Sequence, residues 1–236
     1  MIALSNLIAN CPDVDLYLMQ IRKSDLIVFK DCKQCKYIAR DLTKAKKLLE
    51  HVNNLCMERD SIIEKYTVSD GIYNIEDYNR KFKNNKMNYV YVVLEEFSFF
   101  TPNGADTKEE KRLKQQILGY IKQIANSSRS SGVFLITSLQ KPTNSSIPTD
   151  IKNQLCTRIA FKLLDKETSL VILGNASATK LKPLEAIVRT NNQSIVNIPL
   201  IHHKGIINAI RDDIEPNKKY LQIADKYEVN NEGVIE

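Results

Sequence analysis

Residues 89–96 read Tyr-Val-Tyr-Val-Val-Leu-Glu-Glu and decide the fold class. The unbroken apolar run Tyr89–Leu94 is typical of a central strand that is covered on both faces of a parallel sheet. It ends abruptly at Glu95 and Glu96. Adjacent acids at such a strand end suit nucleotide hydrolysis, because one can hold the shell of a Mg²⁺ ion while the other orients or deprotonates water. Solvent-facing charge after a core strand is the plainer alternative.

A second strand of the same kind follows a predicted helix. Thr107 and Glu110 have the spacing of a capping box, which predicts that a helix begins there. Val133–Ser138 is again apolar, and two strands joined by a helix pair in parallel. Because the carboxyl ends of parallel strands share one edge, Gln140 is expected near the two glutamates, where an amide can sense a phosphate or position water.

The rest of the chain continues the alternation of strands and helices. Predicted helices begin at Asp41, which caps a long helix ended by Gly71, at Ile75, at Ile151 and at Asp165. The further predicted strands are Val14–Ile21, a third internal strand Arg158–Leu164, and an edge hairpin formed by Glu185–Arg189 and Ser194–Leu200.

Composition supports an α/β protein with one main domain. The chain has 236 residues, 43% of them hydrophobic and 26% charged, which excludes wholesale disorder. Its 7 glycines and 7 prolines are too few for a turn-dense all-β fold. No apolar run approaches the ~20 residues that span a bilayer. Five scattered cysteines suit a reducing compartment. We predict a cytoplasmic protein, tethered to a membrane only through a region absent from this sequence.

Positive charge is concentrated in residues 22–47. This stretch holds nine basic residues and three acidic ones, and the net charge of the whole chain is +6. Lys44, Lys46 and Lys47 lie mostly off the apolar stripe of the predicted helix, so they are candidates for contacts with DNA phosphates. A solvated helix face is the alternative. The pair Cys32 and Cys35 lacks a second pair at ligand spacing, so neither a zinc site nor a redox pair is favoured.

Three ordered blocks together resemble the motor domain of FtsK/SpoIIIE-type DNA translocases, including the related coupling ATPases of conjugative elements. They are YVYVVLEEFSFF (89–100), SSRSSGVFLITSLQKP (127–142) and IKNQLCTRIAFKLLDKETSLVIL (151–173). The resemblance extends over about Val14 to Leu200. It implies a RecA-like P-loop NTPase core, ATP hydrolysis with Mg²⁺, a ring of six subunits and a duplex DNA substrate.

The resemblance also implies roles for single residues. Glu95 and Glu96 match the Walker B acids, with Glu95 as the Mg²⁺ residue, and Gln140 matches the sensor glutamine. Arg129 and Arg158 match arginines of the family's blocks, and one of the two is expected to act in trans on the phosphoryl group. As alternatives, Arg129 caps the carbonyl groups of its helix and Arg158 forms an ion pair at the sheet edge.

Two departures from the family pattern bear on activity. The Walker A motif Gly-x-x-x-x-Gly-Lys-Ser/Thr is absent, and no glycine precedes Gly71. Met1–Ala9 resembles the helix that follows this motif, so the sequence is expected to begin just downstream of the phosphate-binding loop. Glu95 stands where the family usually has Asp, which moves the carboxylate outward by one methylene group.

The leading hypothesis is a portion of an ATP-dependent double-stranded DNA translocase from a mobile or conjugative element. It places the motor portion in residues 1–200 and a carboxyl-terminal tail in residues 201–236, and it expects a homo-oligomer. The alternative is a non-catalytic RecA-like module that binds DNA or a partner protein and has lost nucleotide hydrolysis. The family's cofactors are ATP and Mg²⁺, and under the alternative this chain alone binds neither.

Overall fold

The computed structural model describes residues 1–22, 25–143, 145–200 and 202–214. Its helices and strands follow one another in this order: α1 (Ile2–Asn10), β1 (Val14–Met19), β2 (Cys35–Ala39), α2 (Leu42–Asp70), α3 (Ile75–Lys81), β3 (Tyr89–Leu94), α4 (Lys108–Ser131), β4 (Val133–Thr137), α5 (Thr149–Gln154), β5 (Arg158–Phe161), α6 (Lys166–Leu173), β6 (Glu185–Arg189), β7 (Gln193–Asn197) and α7 (His203–Ala209).

Four strands form a parallel sheet in the order β2-β1-β3-β4. β3 lies inside this sheet, with Leu94 beside Met19 of β1 and Thr137 of β4. The prediction of an α/β fold with a mainly parallel sheet flanked by helices is confirmed. Because the four strands run in one direction, the segments that follow them all leave from the same edge of the sheet.

Helices cover both faces of the parallel sheet. On one face, α2 and α4 bury residues such as Leu49 and Ile121 against Val92, with exposed fractions of 0 to 1%. On the other face, α1 and the segment after α7 pack Ile8 and Ile210 on β1. Each fully buried side chain of this size stabilises the fold by about 1.5–3 kcal/mol. The sheet is therefore a fixed platform for the loops at its edges.

The predicted helix ends are confirmed by their caps. Asp41 accepts a hydrogen bond from the backbone N–H of Lys44 at the start of α2, and Gly71 ends that helix with φ 66°. Thr107 and Glu110 form a reciprocal capping box at the start of α4. Each of these caps forms hydrogen bonds with backbone groups that a helix end leaves unpaired, which is why the sequence pattern locates the helix ends correctly.

The prediction for Arg158–Leu164 is wrong about its sheet. β5 is antiparallel to β6, and β5, β6 and β7 form a second sheet. Ile159 and Phe161 are 55% and 60% exposed, whereas Ala160 between them is 2% exposed. β5 is thus covered on one face, unlike an internal strand of a parallel sheet. The predicted hairpin forms as β6 and β7, but it joins β5 and not the edge of the parallel sheet.

β2 and α7 are elements that the sequence did not predict. β2 begins at Cys35, the second cysteine of the pair, and occupies the outer position beside β1. After α7, Ile210 and Ile214 are buried against α1, so residues 203–214 pack on the core. The predicted division between residues 1–200 and 201–236 stays a prediction, and residues 215–236 lie outside the described ranges. Within the described ranges, no helix is both long and apolar enough to cross a membrane.

Candidate active site

The end of β3 brings Glu95 to the carboxyl edge of the sheet. Its backbone N–H donates a hydrogen bond to the carbonyl of Met19, at 3.0 Å, which fixes the main chain between β1 and β3. The Oε2 atom of Glu95 is buried and has no hydrogen-bond partner among the described residues. A buried polar atom without a partner costs about 1–3 kcal/mol, so this oxygen is available to a cation or to a donor from a ligand.

Glu96 is held in a different way. Its backbone has φ 52° and ψ 77°, a left-handed conformation that non-glycine residues rarely adopt. Ser98 donates its hydroxyl to Oε1 at 2.6 Å, and the backbone N–H of Gln140 donates to Oε2 at 2.9 Å. Both carboxylate oxygens therefore have fixed positions. Strained backbone of this kind is frequent at functional sites, where the surroundings hold it.

The segment after β4 lies against the acids, as the sequence predicts. The Ser138 hydroxyl accepts a hydrogen bond from the Glu96 backbone N–H at 3.2 Å, and the Gln140 backbone reaches the Glu96 carboxylate. The Gln140 side chain is exposed and lines the same cleft as Glu95 and Glu96. The structure therefore brings together the two acids and the glutamine that sequence reasoning placed at one sheet edge.

The cleft at this edge has a volume of about 430 Å³. Besides the two acids and Gln140, it is lined by Ile21, Arg22, Ser98, Phe99 and Lys141. Sequence reasoning counted Arg22 as part of the basic stretch and missed it as a site residue. The signal that could have found it is its position, because it follows the end of β1, the strand that pairs with β3.

Arg129 and Arg158 lie away from the cleft. Arg129 is exposed in the last turn of α4, and its Nη2 lies 2.8 Å from the sulfur of Cys156. It precedes β4, whereas Gln140 follows this strand, so about 16 Å of strand separates the two. Arg158 donates hydrogen bonds to the carbonyl oxygens of Lys152, Leu155 and Ile172.

Those contacts correct the predicted alternatives for the two arginines. Arg158 ties α5 and α6 to β5 through carbonyl oxygens and is not part of an ion pair among the described residues. Arg129 contacts a cysteine sulfur and not the carbonyl groups of its own helix. A role of either arginine in a neighbouring subunit is not tested by the structure of one chain and stays a prediction.

The three lysines proposed for DNA contacts differ in exposure. Lys44 and Lys47 are exposed in the first turns of α2, whereas Lys46 is partly buried. Lys44 forms an ion pair with Asp41 at 3.1 Å. An exposed pair of this kind leaves the lysine free to exchange partners, since it contributes about 0–1 kcal/mol.

The cysteine pair has the electrostatics of a structural element. Burial raises the pKa of Cys32 to about 12 and that of Cys35 to about 11, so both are protonated thiols at neutral pH. Metal binding and thiol exchange both require the thiolate. Among the described residues, no group of three or more His, Cys, Asp or Glu side chains is arranged to hold a metal ion.

Parts of the chain are similar in sequence to known DNA translocases. No protein-family model matches the chain. The chain is 31% identical over 144 residues to the DNA translocase FtsK of Chlorobaculum tepidum, a match that covers 61% of this chain and 16% of that protein. It is 24% identical over 185 residues to FtsK of Borreliella burgdorferi, covering 75% of this chain and 22% of that protein.

The resemblance to FtsK/SpoIIIE-type translocases is confirmed. The chain spans about a fifth or less of the length of most of these FtsK relatives, so each match concerns a minor part of a long protein. Among solved structures, the chain is similar to the pCW3 conjugation coupling protein TcpA, determined with ATPγS. The TM-score is 0.72 and the identity 21%, covering 82% of this chain and 54% of TcpA.

A second structural neighbour of the FtsK/SpoIIIE-like chain is EssC of Geobacillus thermodenitrificans, a structure of its ATPases 2 and 3. The TM-score is 0.67 and the identity 17%, covering 93% of this chain and 42% of EssC. At these identities both neighbours show the fold. The α/β core described above is thus the fold of P-loop ATPase motor domains.

Proposed function

We propose that this chain is the portion of an FtsK/SpoIIIE-type, ATP-dependent double-stranded DNA translocase that carries the metal-binding and water-activating acids. The observation that supports this function is the convergence of Glu95, Glu96 and Gln140 in one cleft, where a buried carboxylate oxygen of Glu95 has no hydrogen-bond partner in the described ranges. The sequence relatives are named DNA translocases. The neighbour TcpA is named a conjugation coupling protein, which supports an origin in a mobile or conjugative element.

The residues present fit a Mg²⁺ ion. In proteins this ion takes one or two carboxylates and completes its shell with water and phosphate oxygens. Glu95 would hold it through Oε2, with the carboxylate one methylene group further from the main chain than the Asp that the family usually has. When bound, Mg²⁺ supplies neutralisation of the charge on the nucleotide's phosphates.

The other residues have roles set by their contacts. Glu96, fixed by Ser98 and by the Gln140 backbone, orients the attacking water or accepts its proton. The exposed Gln140 side chain senses the terminal phosphate. Arg129 or Arg158 of a neighbouring subunit acts in trans within a homo-oligomeric ring, which is six-membered in the family. The unpaired cysteines support a cytoplasmic location.

Hydrolysis requires a phosphate-binding loop that these 236 residues do not contain. We expect the purified chain to bind Mg²⁺–ATP weakly, in about the millimolar range, because two acids and a glutamine lack the backbone N–H groups that wrap a triphosphate. We expect it not to release phosphate. DNA-stimulated turnover by this chain would contradict the expectation that these residues alone do not hydrolyse ATP.

Binding measurements with matched variants test the site. Glu95→Gln should abolish the dependence of ATP binding on Mg²⁺, whereas Glu96→Gln should leave binding intact. Glu109→Gln is the control, because Glu109 is an exposed acid in the first turn of α4 and is not among the described residues that line the cleft. If the wild-type chain binds duplex DNA but shows no Mg²⁺-dependent binding of ATP, the non-catalytic module is the correct function.

The DNA part of the proposal has a separate test. The slope of the logarithm of the binding constant against the logarithm of the salt concentration measures the number of phosphate contacts, with about 0.9 for each contact. Replacing Lys44, Lys46 and Lys47 with Gln should make this slope shallower by up to about three for a random-sequence duplex. Partial burial of Lys46 favours a value nearer two than three. An unchanged slope would show that these lysines only solvate α2.

A control triple variant removes equal charge elsewhere. It replaces exposed lysines on and beside the second sheet, Lys162, Lys166 and Lys182. Its salt slope should match that of the wild type if the contacts lie on α2. Circular dichroism of both triple variants should be the same as that of the wild type.

A further inference from the structure

We infer that Arg22 is a phosphate ligand of the cleft and that Phe99 positions it. The guanidinium carbon of Arg22 lies 5.0 Å from the centre of the Phe99 ring. Both residues line the cleft with Glu95 and Glu96. The inference rests on the proposed function, and it names a recognition element for the phosphates that the sequence comparison does not assign.

The contact with the Phe99 ring leaves N–H donors of Arg22 for a ligand. A cation over an aromatic ring is attracted by the charge distribution of the ring, and the guanidinium carries five N–H donors that can bind other partners. Arg22 forms no ion pair with a described residue, although two carboxylates share its cleft. Its donors are therefore available to a ligand that lies between it and the acids.

The mixture of charges selects the class of ligand. Glu95 and Glu96 would repel a bare phosphate, and Arg22 and Lys141 would repel a bare cation. A Mg²⁺–polyphosphate satisfies both sets, because the metal faces a carboxylate while the terminal phosphate oxygens face the guanidinium. The planar donor fork of arginine suits a phosphate better than the single ammonium group of Lys141.

The position of Arg22 is set by the fold. It lies three residues after Met19, whose carbonyl accepts the N–H of Glu95, so β1 and β3 deliver the arginine and the acid to the same level of the edge. Phe99 belongs to the 3-10 turn Phe97–Phe100, whose Phe97 and Phe100 are 1% and 0% exposed. The ring beneath the guanidinium is thus anchored from both sides by buried neighbours.

The test measures binding of Mg²⁺–tripolyphosphate and Mg²⁺–ATP to the full chain by phosphorus NMR titration. Arg22→Gln should weaken binding of both by about 10-fold to 100-fold, the range for a lost charge-assisted hydrogen bond. Arg22→Lys should lose most of the same affinity, because it keeps the charge without the planar fork. Arg80→Gln is the charge-matched control, since Arg80 lies on α3 and pairs with Glu76 and Asp77.

A double-mutant cycle separates positioning from contact. Phe99→Leu should weaken binding by about 2-fold to 5-fold. The double variant Arg22→Gln/Phe99→Leu should bind no more weakly than Arg22→Gln, because Phe99 acts through the arginine. Additive losses would contradict the role given to Phe99. All variants should keep the circular dichroism spectrum of the wild type.

Failure of the inference and failure of the proposed function give different results. If the wild type binds Mg²⁺–tripolyphosphate and Arg22→Gln binds it equally well, the role of Arg22 is refuted while the site at Glu95 stands. If the wild type shows no binding at millimolar concentration, the proposed nucleotide site and the inference both fail. If tripolyphosphate binds equally well without Mg²⁺, the ligand is a bare anion and the inferred class of ligand, a Mg²⁺–polyphosphate, is refuted.

Discussion

Replacing Gly132 with alanine should destabilise the strand that leads to the cleft. Gly132 joins α4 to β4 and has φ 70°, in the left-handed region. A Cβ atom built on it would lie 2.6 Å from Cδ1 and 2.8 Å from Cγ2 of Ile75, and 3.2 Å from the Tyr89 ring. Cγ2 is bonded to the Ile75 Cβ, so it moves only if χ1 of this buried, β-branched side chain changes.

The substitution costs stability in two ways, through backbone strain and through overpacking. A second glycine, Gly71, allows the two contributions to be measured separately. A left-handed alanine costs about 1–2 kcal/mol, and overpacking of a tight site costs about 1–3 kcal/mol. Gly132→Ala should therefore lower the free energy of unfolding by about 2–5 kcal/mol. Gly71 has φ 66°, but no atom of a described residue lies within 4 Å of a Cβ built on it, so Gly71→Ala should lower the free energy of unfolding by about 1–2 kcal/mol.

Urea unfolding followed by circular dichroism measures both variants, since the chain has no tryptophan. With a slope of about 2 kcal/mol per molar urea, a loss of 3 kcal/mol lowers the midpoint by about 1.5 M. Gly119→Ala is the control of opposite sign, because Gly119 lies inside α4 and a Cβ built on it meets no atom of the part of the chain that the structure describes. Alanine should therefore stabilise the helix by about 1 kcal/mol. Equal losses for Gly132→Ala and Gly71→Ala would refute the argument from the contact with Ile75.

Two further predictions follow from the pKa values. A hydrogen bond from Lys114 lowers the pKa of Asp106, so this carboxylate stabilises the fold above its ordinary pKa of about 4, and the contribution is lost as pH falls through the lowered value. The difference in unfolding free energy between the wild type and Asp106→Asn should accordingly shrink in acid, and a pH-independent difference would contradict this. Because burial raises the pKa of Cys32 and Cys35, iodoacetamide at pH 8 should modify the exposed Cys156 first in the native chain, as mass spectrometry can show.

The sequence predicts this fold where the signal is local. Asp41 and Gly71 bound α2 because a cap and a left-handed stop act within a few residues. The sheet to which a short strand belongs is decided by distant partners. β5 has four residues, and its sequence does not distinguish a strand covered on one face from one covered on both. β2 was missed because its lysine and tyrosine are exposed at the outer position, so its apolar pattern is weak.

The candidate site was predictable to the extent that topology alone determines it. A parallel sheet brings strand ends together, so Glu95, Glu96 and Gln140 could be placed at one edge without coordinates. Arg22 needed the knowledge that β1 pairs with β3, and its contact with Phe99 depends on how the turn after β3 folds. Such a contact leaves no periodic pattern in the sequence, because it joins two loops.

The left-handed backbone of Glu96 explains how two adjacent glutamates can have different environments. Glu95 continues from β3, and its carboxylate keeps one buried oxygen to which no described residue donates a hydrogen bond. At Glu96 the chain turns, and the hydroxyl and the carbonyl of Ser138 accept the N–H groups of Glu96 and Phe97. The turn directs the second carboxylate to the Gln140 backbone, whose N–H fixes it. The strain of about 1–3 kcal/mol at Glu96 is offset by these bonds and by the burial of Phe97, so the end of β4 determines where the second acid lies.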